Sequence, residues 1–98
     1  MELGINRADI IEMARRTRNE KRMGILKKLE TDIQSALQEA LKKAQETGES
    51  LAYGDIKIVI PDYFKGPLGG HFIPKEIETK LKGLGYSMVA LGNLLIIW

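Results

Sequence analysis

A chain of 98 residues that is 44% apolar and carries a formal net charge of +2 has material for one domain with a modest core. It has no cysteine, which excludes a disulfide framework, a thiolate metal site and a thiol nucleophile, and fits a reducing cytoplasm. A net charge this small argues against nucleic-acid binding by bulk field alone.

The N-terminal stretch MELGINRADI lacks a basic segment followed by an apolar run, so no secretory leader is expected. No stretch approaches the roughly 18 to 20 apolar residues of a membrane span, and no membrane partner is expected. Asn6 suits an N-cap, with Asp9 placed at the positive helix end. From there to Thr47 the pattern predicts helix, closed by Gly48. Leu26, Leu29, Ile33, Ala36, Leu37, Ala40 and Ala44 form one apolar stripe at about 100° per residue. Followed towards the N-terminus, the stripe passes through Arg22, Arg18, Arg15 and Ile11, with Arg7 at its margin. A face that builds a core in one half of the helix becomes a row of guanidinium groups in the other.

Such a helix is about 60 Å long, against a radius of gyration near 13 Å for a compact domain of this size. Either it breaks at Met23-Gly24, where glycine costs up to about 1 kcal/mol, or it stays whole and is covered by another subunit. The stripe keeps phase across Gly24, which favours the whole rod.

Residues 55–60, Asp-Ile-Lys-Ile-Val-Ile, alternate and predict a strand ended by Pro61. Residues 61–74 hold three prolines and three glycines with Tyr63, Phe64, Phe72, Lys65 and the single histidine, His71. That composition predicts a long loop of the kind that carries function. Pro74 suits the first turn of a short amphipathic helix over 74–83, with Ile77, Leu81 and Leu84 recurring at helical spacing after Ile73 and Gly83 and Gly85 as its stop. Residues 86–91 and 94–98 predict a hairpin closed by Gly92-Asn93. The last strand, LLIIW, is apolar on both faces, so one face calls for a second layer or another protomer. The expected fold is a single α+β domain over 1–98: a long N-terminal helix, a three-stranded antiparallel sheet and one short helix, assembled as an oligomer, most simply a two-fold dimer.

No catalytic residue and no cofactor is expected. Lys65 precedes its glycines, so the loop is not a nucleoside-triphosphate-binding P-loop. His71 has neither a second imidazole nor a suitably spaced carboxylate for a metal, and no metal site is expected. Arg15, Arg18 and Arg22 stack along one face at intervals of three and four, and guanidinium forks suit phosphate or carboxylate. The competing reading is a solvated face partly paired to Glu12 and Glu20. In the loop, Gly69-Gly70 would let backbone amides approach an anion, Lys65 and His71 flank that turn, and Tyr63, Phe64 or Phe72 would stack on a base. Tyr86 and Trp98 fit core or interface positions.

The short helix running into Leu84-Gly85-Tyr86, the tight hairpin and the terminal Trp98 resemble small bacteriophage proteins with a charged N-terminal helix and a Gly-Tyr hairpin ending in tryptophan. Some small oligomeric phage proteins act as sponges for cyclic oligonucleotide immune signals, which they bind without cleaving. The resemblance implies a homo-oligomeric, non-catalytic protein of the host-cell cytoplasm that holds a cyclic oligonucleotide, or another phosphorylated small ligand, at a protomer interface. It transfers no site residue. The ligand-binding candidates Arg15, Arg18, Arg22, Tyr63, Phe64, Lys65, Gly69, Gly70 and His71 come from the residues themselves. Two other functions remain open: a nucleic-acid-binding dimer that uses the basic helix, and a structural or inhibitory module that docks on another protein.

Overall fold

The computed structural model describes residues 3–98; Met1 and Glu2, where the leader reading begins, lie outside the described residues. The fold is α+β, in the order α1 (Arg7–Thr47), β1 (Ile56–Val59), α2 (Lys75–Gly83), β2 (Met88–Leu91) and β3 (Leu94–Ile97).

Helix α1 runs unbroken for 41 residues, so Gly24 does not end it. The side chain of Asn6 accepts a hydrogen bond from the Asp9 amide at 2.9 Å, which satisfies one of the amides that every helix start leaves unpaired. At the other end Gly48 takes φ +74° and donates to the Ala44 carbonyl at 2.9 Å, a left-handed stop that favours glycine. Only the middle of the rod is buried, through Leu26, Leu29 and Ile33. The molecule measures 72 × 28 × 20 Å with a radius of gyration of 18.5 Å, well above the value of about 13 Å for a compact chain of this length. The rod accounts for that excess.

The sheet has the order β1-β3-β2 and is antiparallel throughout. Opposed residues share a face, so the register assigns Ile56, Ile58, Leu95, Ile97, Met88 and Ala90 to one side. That side meets Leu26, Leu29 and Ile33 of α1 and Ile77 and Leu81 of α2 in a single core. Burial of each such side chain contributes about 1.5–3 kcal/mol. The other side carries Lys57, Val59, Val89, Leu91, Leu94 and Ile96. Ile96 is buried, but Val59 and Leu91 are exposed. The both-sided apolar character expected of the last strand therefore belongs to the sheet. At its margin Tyr53 packs edge-on against Trp98, centroids 4.9 Å apart.

The strands are shorter than the alternation suggested. Ile60 continues the β1 pairing through one bond to the Asn93 carbonyl, and Ser87 and Trp98 exchange two bonds just beyond β2 and β3. Helix α2 begins at Lys75, with Pro74 as its N-cap. It is fixed to α1 by two ion pairs, Arg22–Glu76 and Glu30–Lys80, set around the apolar contacts of Ile77 and Leu81.

Candidate functional site

The stretch 7–21 of α1 is exposed at every residue over about 22 Å. Arg15 and Arg18 sit on it, and neither takes part in an ion pair among the described residues. The partial pairing to Glu12 and Glu20 resolves differently from the solvated-face reading: Glu12 binds Arg16, at 3.3 Å. The rod also exposes the apolar side chains of Ile10, Ile11 and Met13.

Arg22, one turn on, has a different role. Its two terminal nitrogens donate to the two oxygens of Glu76, the Nη2–Oε1 bond measuring 3.0 Å. Its guanidinium carbon lies 5.8 Å from the centre of the Phe64 ring, within the range of a cation–π contact. The bidentate hydrogen bond from Arg22 holds the Glu76 carboxyl down at about 2, well below the usual carboxylate range, and raises Arg22 in return. The third member of the row is thus a clasp between α1 and α2, and its fork is occupied.

The loop over 61–74 is ordered by its own contacts. Phe64 is 1% exposed and sits in the core cluster. The expectation that it stacks on a bound base gives way to a packing role, because no face of the ring is presented. Tyr63 and Phe72 meet Phe64 edge-on, at 5.5 and 6.1 Å, and both stay partly open to solvent. Lys65 and His71 form a β-bridge. Within it the Gly66 amide donates to the Gly70 carbonyl at 2.7 Å and the Gly69 amide to the Gly66 carbonyl at 3.0 Å. Gly69, at φ +85°, turns its N–H into this closed turn, so the proposed anion cradle loses that donor. His71 Nε2 lies 2.9 Å from Asp62 Oδ1. The bond from His71 draws the Asp62 carboxyl below its ordinary value.

The candidates therefore fall into three places. Arg22, Tyr63 and Phe64 are together where the loop meets α1. Lys65, Gly69, Gly70 and His71 build a self-contained turn, and Arg15 and Arg18 stand alone on the rod. Sequence reading passed over the groove that joins the first place to the rod. This opening, about 490 Å3, is lined by Ile25, Lys28 and Asp32 of α1 and by Val59, Pro61 and Tyr63. No local signal pointed to it, because its walls come from α1 and from the end of β1 with the loop that follows.

Among the described residues no group of three histidine, cysteine or acidic side chains is placed to hold a metal. No described helix is long and apolar enough to cross a membrane. Comparison with known proteins finds no matching family model, no matching curated protein and no matching solved structure.

Proposed function

We propose that this chain is a non-catalytic binding protein that sequesters a phosphorylated small ligand, a cyclic oligonucleotide being the favoured class, at an interface between protomers. One observation carries the reading: Arg15 and Arg18 are exposed and, among the described residues, unpaired on a rod that extends past its own globule, while Arg22 on the same face is neutralised by Glu76. Guanidinium groups without a carboxylate partner are ready donors for phosphate oxygens. Calorimetric titration with cyclic di- and trinucleotides tests the proposal. Binding that disappears in an Arg15→Ala/Arg18→Ala double variant supports it, and heat-silent mixing across the panel retires it.

A second reading draws on the wider charge pattern. Arg15, Arg16, Arg18, Lys21, Lys27 and Lys28 are all exposed on the same helix, as a rod lying along a nucleic-acid backbone requires. It predicts duplex binding whose log affinity falls by roughly 0.9 per phosphate neutralised as log salt rises. A gel shift at low and moderate salt separates the two readings.

A further inference from the structure

The groove between α1 and the end of β1 combines apolar walls with charges of both signs. Its volume of about 490 Å3 lies in the range of small-molecule sites. Buried Leu29, half-buried Ile25 and the exposed side chains of Val59 and Tyr63 line it. Tyr63 is 41% exposed, yet the core residue Phe64 meets its ring at 5.5 Å and 83°. The ring is held in place without being enclosed. Gly24 adds bare backbone to the lining, and the space where its side chain would stand is open.

The charges have an order along the helix. At about 100° per residue, Arg18, Lys21, Ile25, Lys28 and Asp32 fall within an arc of about 80°. Lys28 and Asp32 line the groove itself. Lys21 stands about 6 Å along the axis from Ile25, and Arg18 about 4.5 Å beyond Lys21. All four charged residues are exposed, and none joins an ion pair among the described residues. Lys28 and Asp32 are four residues apart, the spacing of a helix ion pair, and still do not pair with each other. The groove therefore has a polarity, with cations towards the N-terminal side and a carboxylate at the other end.

We infer that this groove seats one nucleotide unit: the base lies on Tyr63, Ile25 and Val59, the phosphate is held by Lys28 and Lys21 with Arg18 beyond, and Asp32 accepts a hydrogen bond from an N–H of the base. The inference rests on the reading of this chain as a holder of phosphorylated ligands and adds the place of the uncharged part.

The occupant follows from the charges. Inorganic phosphate would use the lysines and leave the apolar walls wet. A plain hydrocarbon would fill the walls and leave the charges of both signs unused. A nucleotide has an anion at one end and, at the other, a flat ring edged with N–H donors. Its phosphate is repelled by Asp32 and drawn to the lysines, so one orientation is favoured. A base stacks on an aromatic ring whatever its identity, and Tyr63 offers such a ring. A cyclic oligonucleotide contains several base and phosphate units, so a chain that holds one leaves the others for further copies.

Calorimetric titration with guanosine 5′-monophosphate, guanosine and inorganic phosphate, each to millimolar concentration, reads the site part by part. The nucleotide should bind at least about tenfold more tightly than either part, because both sets of contacts are made at once. Tyr63→Leu, which keeps apolar bulk but removes the stacking ring, and Lys28→Ala should each weaken the nucleotide on the order of tenfold. Asp32→Asn should weaken the nucleotide without weakening inorganic phosphate. Lys42→Ala, an exposed lysine near the far end of the same helix, should change nothing. Each substituted residue is exposed, and circular dichroism checks that each variant is folded. Heat-silent mixing with the nucleotide, unchanged affinity in Tyr63→Leu and Lys28→Ala, or an equal loss in Lys42→Ala overturns the groove. A cyclic oligonucleotide that requires Arg15 and Arg18 but binds Tyr63→Leu and Lys28→Ala as it binds the natural chain also overturns the groove, and it leaves the sequestration reading standing. Mononucleotide binding that depends on Tyr63 and Lys28 supports the groove even where the cyclic panel is silent.

Discussion

Arg22 and Glu76, 54 residues apart in sequence, are joined by a two-pronged hydrogen bond that fastens the short helix to the long one. The contact marks where the rod stops being free and starts being part of the core, since Leu26 and Leu29 are buried immediately afterwards.

That clasp is sensitive to acid. The folded-state pKa of Glu76 is about 2, against an ordinary value of 4.5. A carboxylate held low in the fold stabilises it above the unfolded value and loses that contribution as pH falls through the folded one. Thermal unfolding followed by circular dichroism should therefore show a melting temperature that drops from about pH 4.5 towards 2. In Glu76→Gln the melting temperature should be lower at neutral pH and the acid slope shallower. An identical slope in the variant would assign the acid sensitivity elsewhere.

Phe64 should be the costliest aromatic to remove. Truncation of a fully buried phenylalanine costs about 3–5 kcal/mol, a large share of the 5–15 kcal/mol that holds a small domain together. It would also unseat Tyr63, Phe72 and the Arg22 guanidinium, all of which lean on this ring. Phe64→Ala should denature at much lower urea than the natural chain, whereas Phe72→Ala, half open to solvent, should shift the midpoint only slightly. Equal shifts would mean that the loop is not anchored through Phe64.

The contrast between these two phenylalanines shows where sequence reading reached its limit. Regular elements were legible because each rests on a local signal. Asn6 and Gly48 bracket α1, isoleucines alternate in β1, and Gly92-Asn93 closes the hairpin. Their ends drifted by one or two residues, since pairing continues past β1 through one bond at Ile60 and past β2 through the two bonds that Ser87 and Trp98 exchange. Inside the loop the signal is not local. Tyr63, Phe64 and Phe72 are alike in composition and setting, and only the sheet and α1 decide which one turns inward. The arginine row failed the same way: Arg15, Arg18 and Arg22 share one face, yet a carboxylate on a distant helix sets Arg22 apart.

Gly24 offers a gain. It lies in the middle of a helix, and a Cβ added there meets nothing within 4 Å. Its cost is conformational, up to about 1 kcal/mol relative to alanine, and no contact among the described residues requires it. Gly24→Ala should raise the melting temperature, by at most about 4–8 °C for a chain of this size. A neutral or destabilising outcome would indicate that a second molecule comes close to the backbone there, which mass measurement on both proteins would register as lost association.

Stability and binding should separate along the arginine row. Arg15 and Arg18 touch nothing that holds the fold together, and exposed substitutions of this kind stay within about 0.5 kcal/mol. Arg22 is different, because its loss leaves Glu76 half-buried without a partner and uncovers the Phe64 ring. Arg15→Ala/Arg18→Ala should therefore melt with the natural chain while losing affinity for a phosphorylated ligand. Arg22→Ala should melt earlier, and at temperatures where it remains folded it should retain binding. Parallel melting curves and titrations on the two variants check the division. A double variant that melts early would place Arg15 and Arg18 in the framework of the rod, and unchanged binding in that variant would leave them without a ligand to hold.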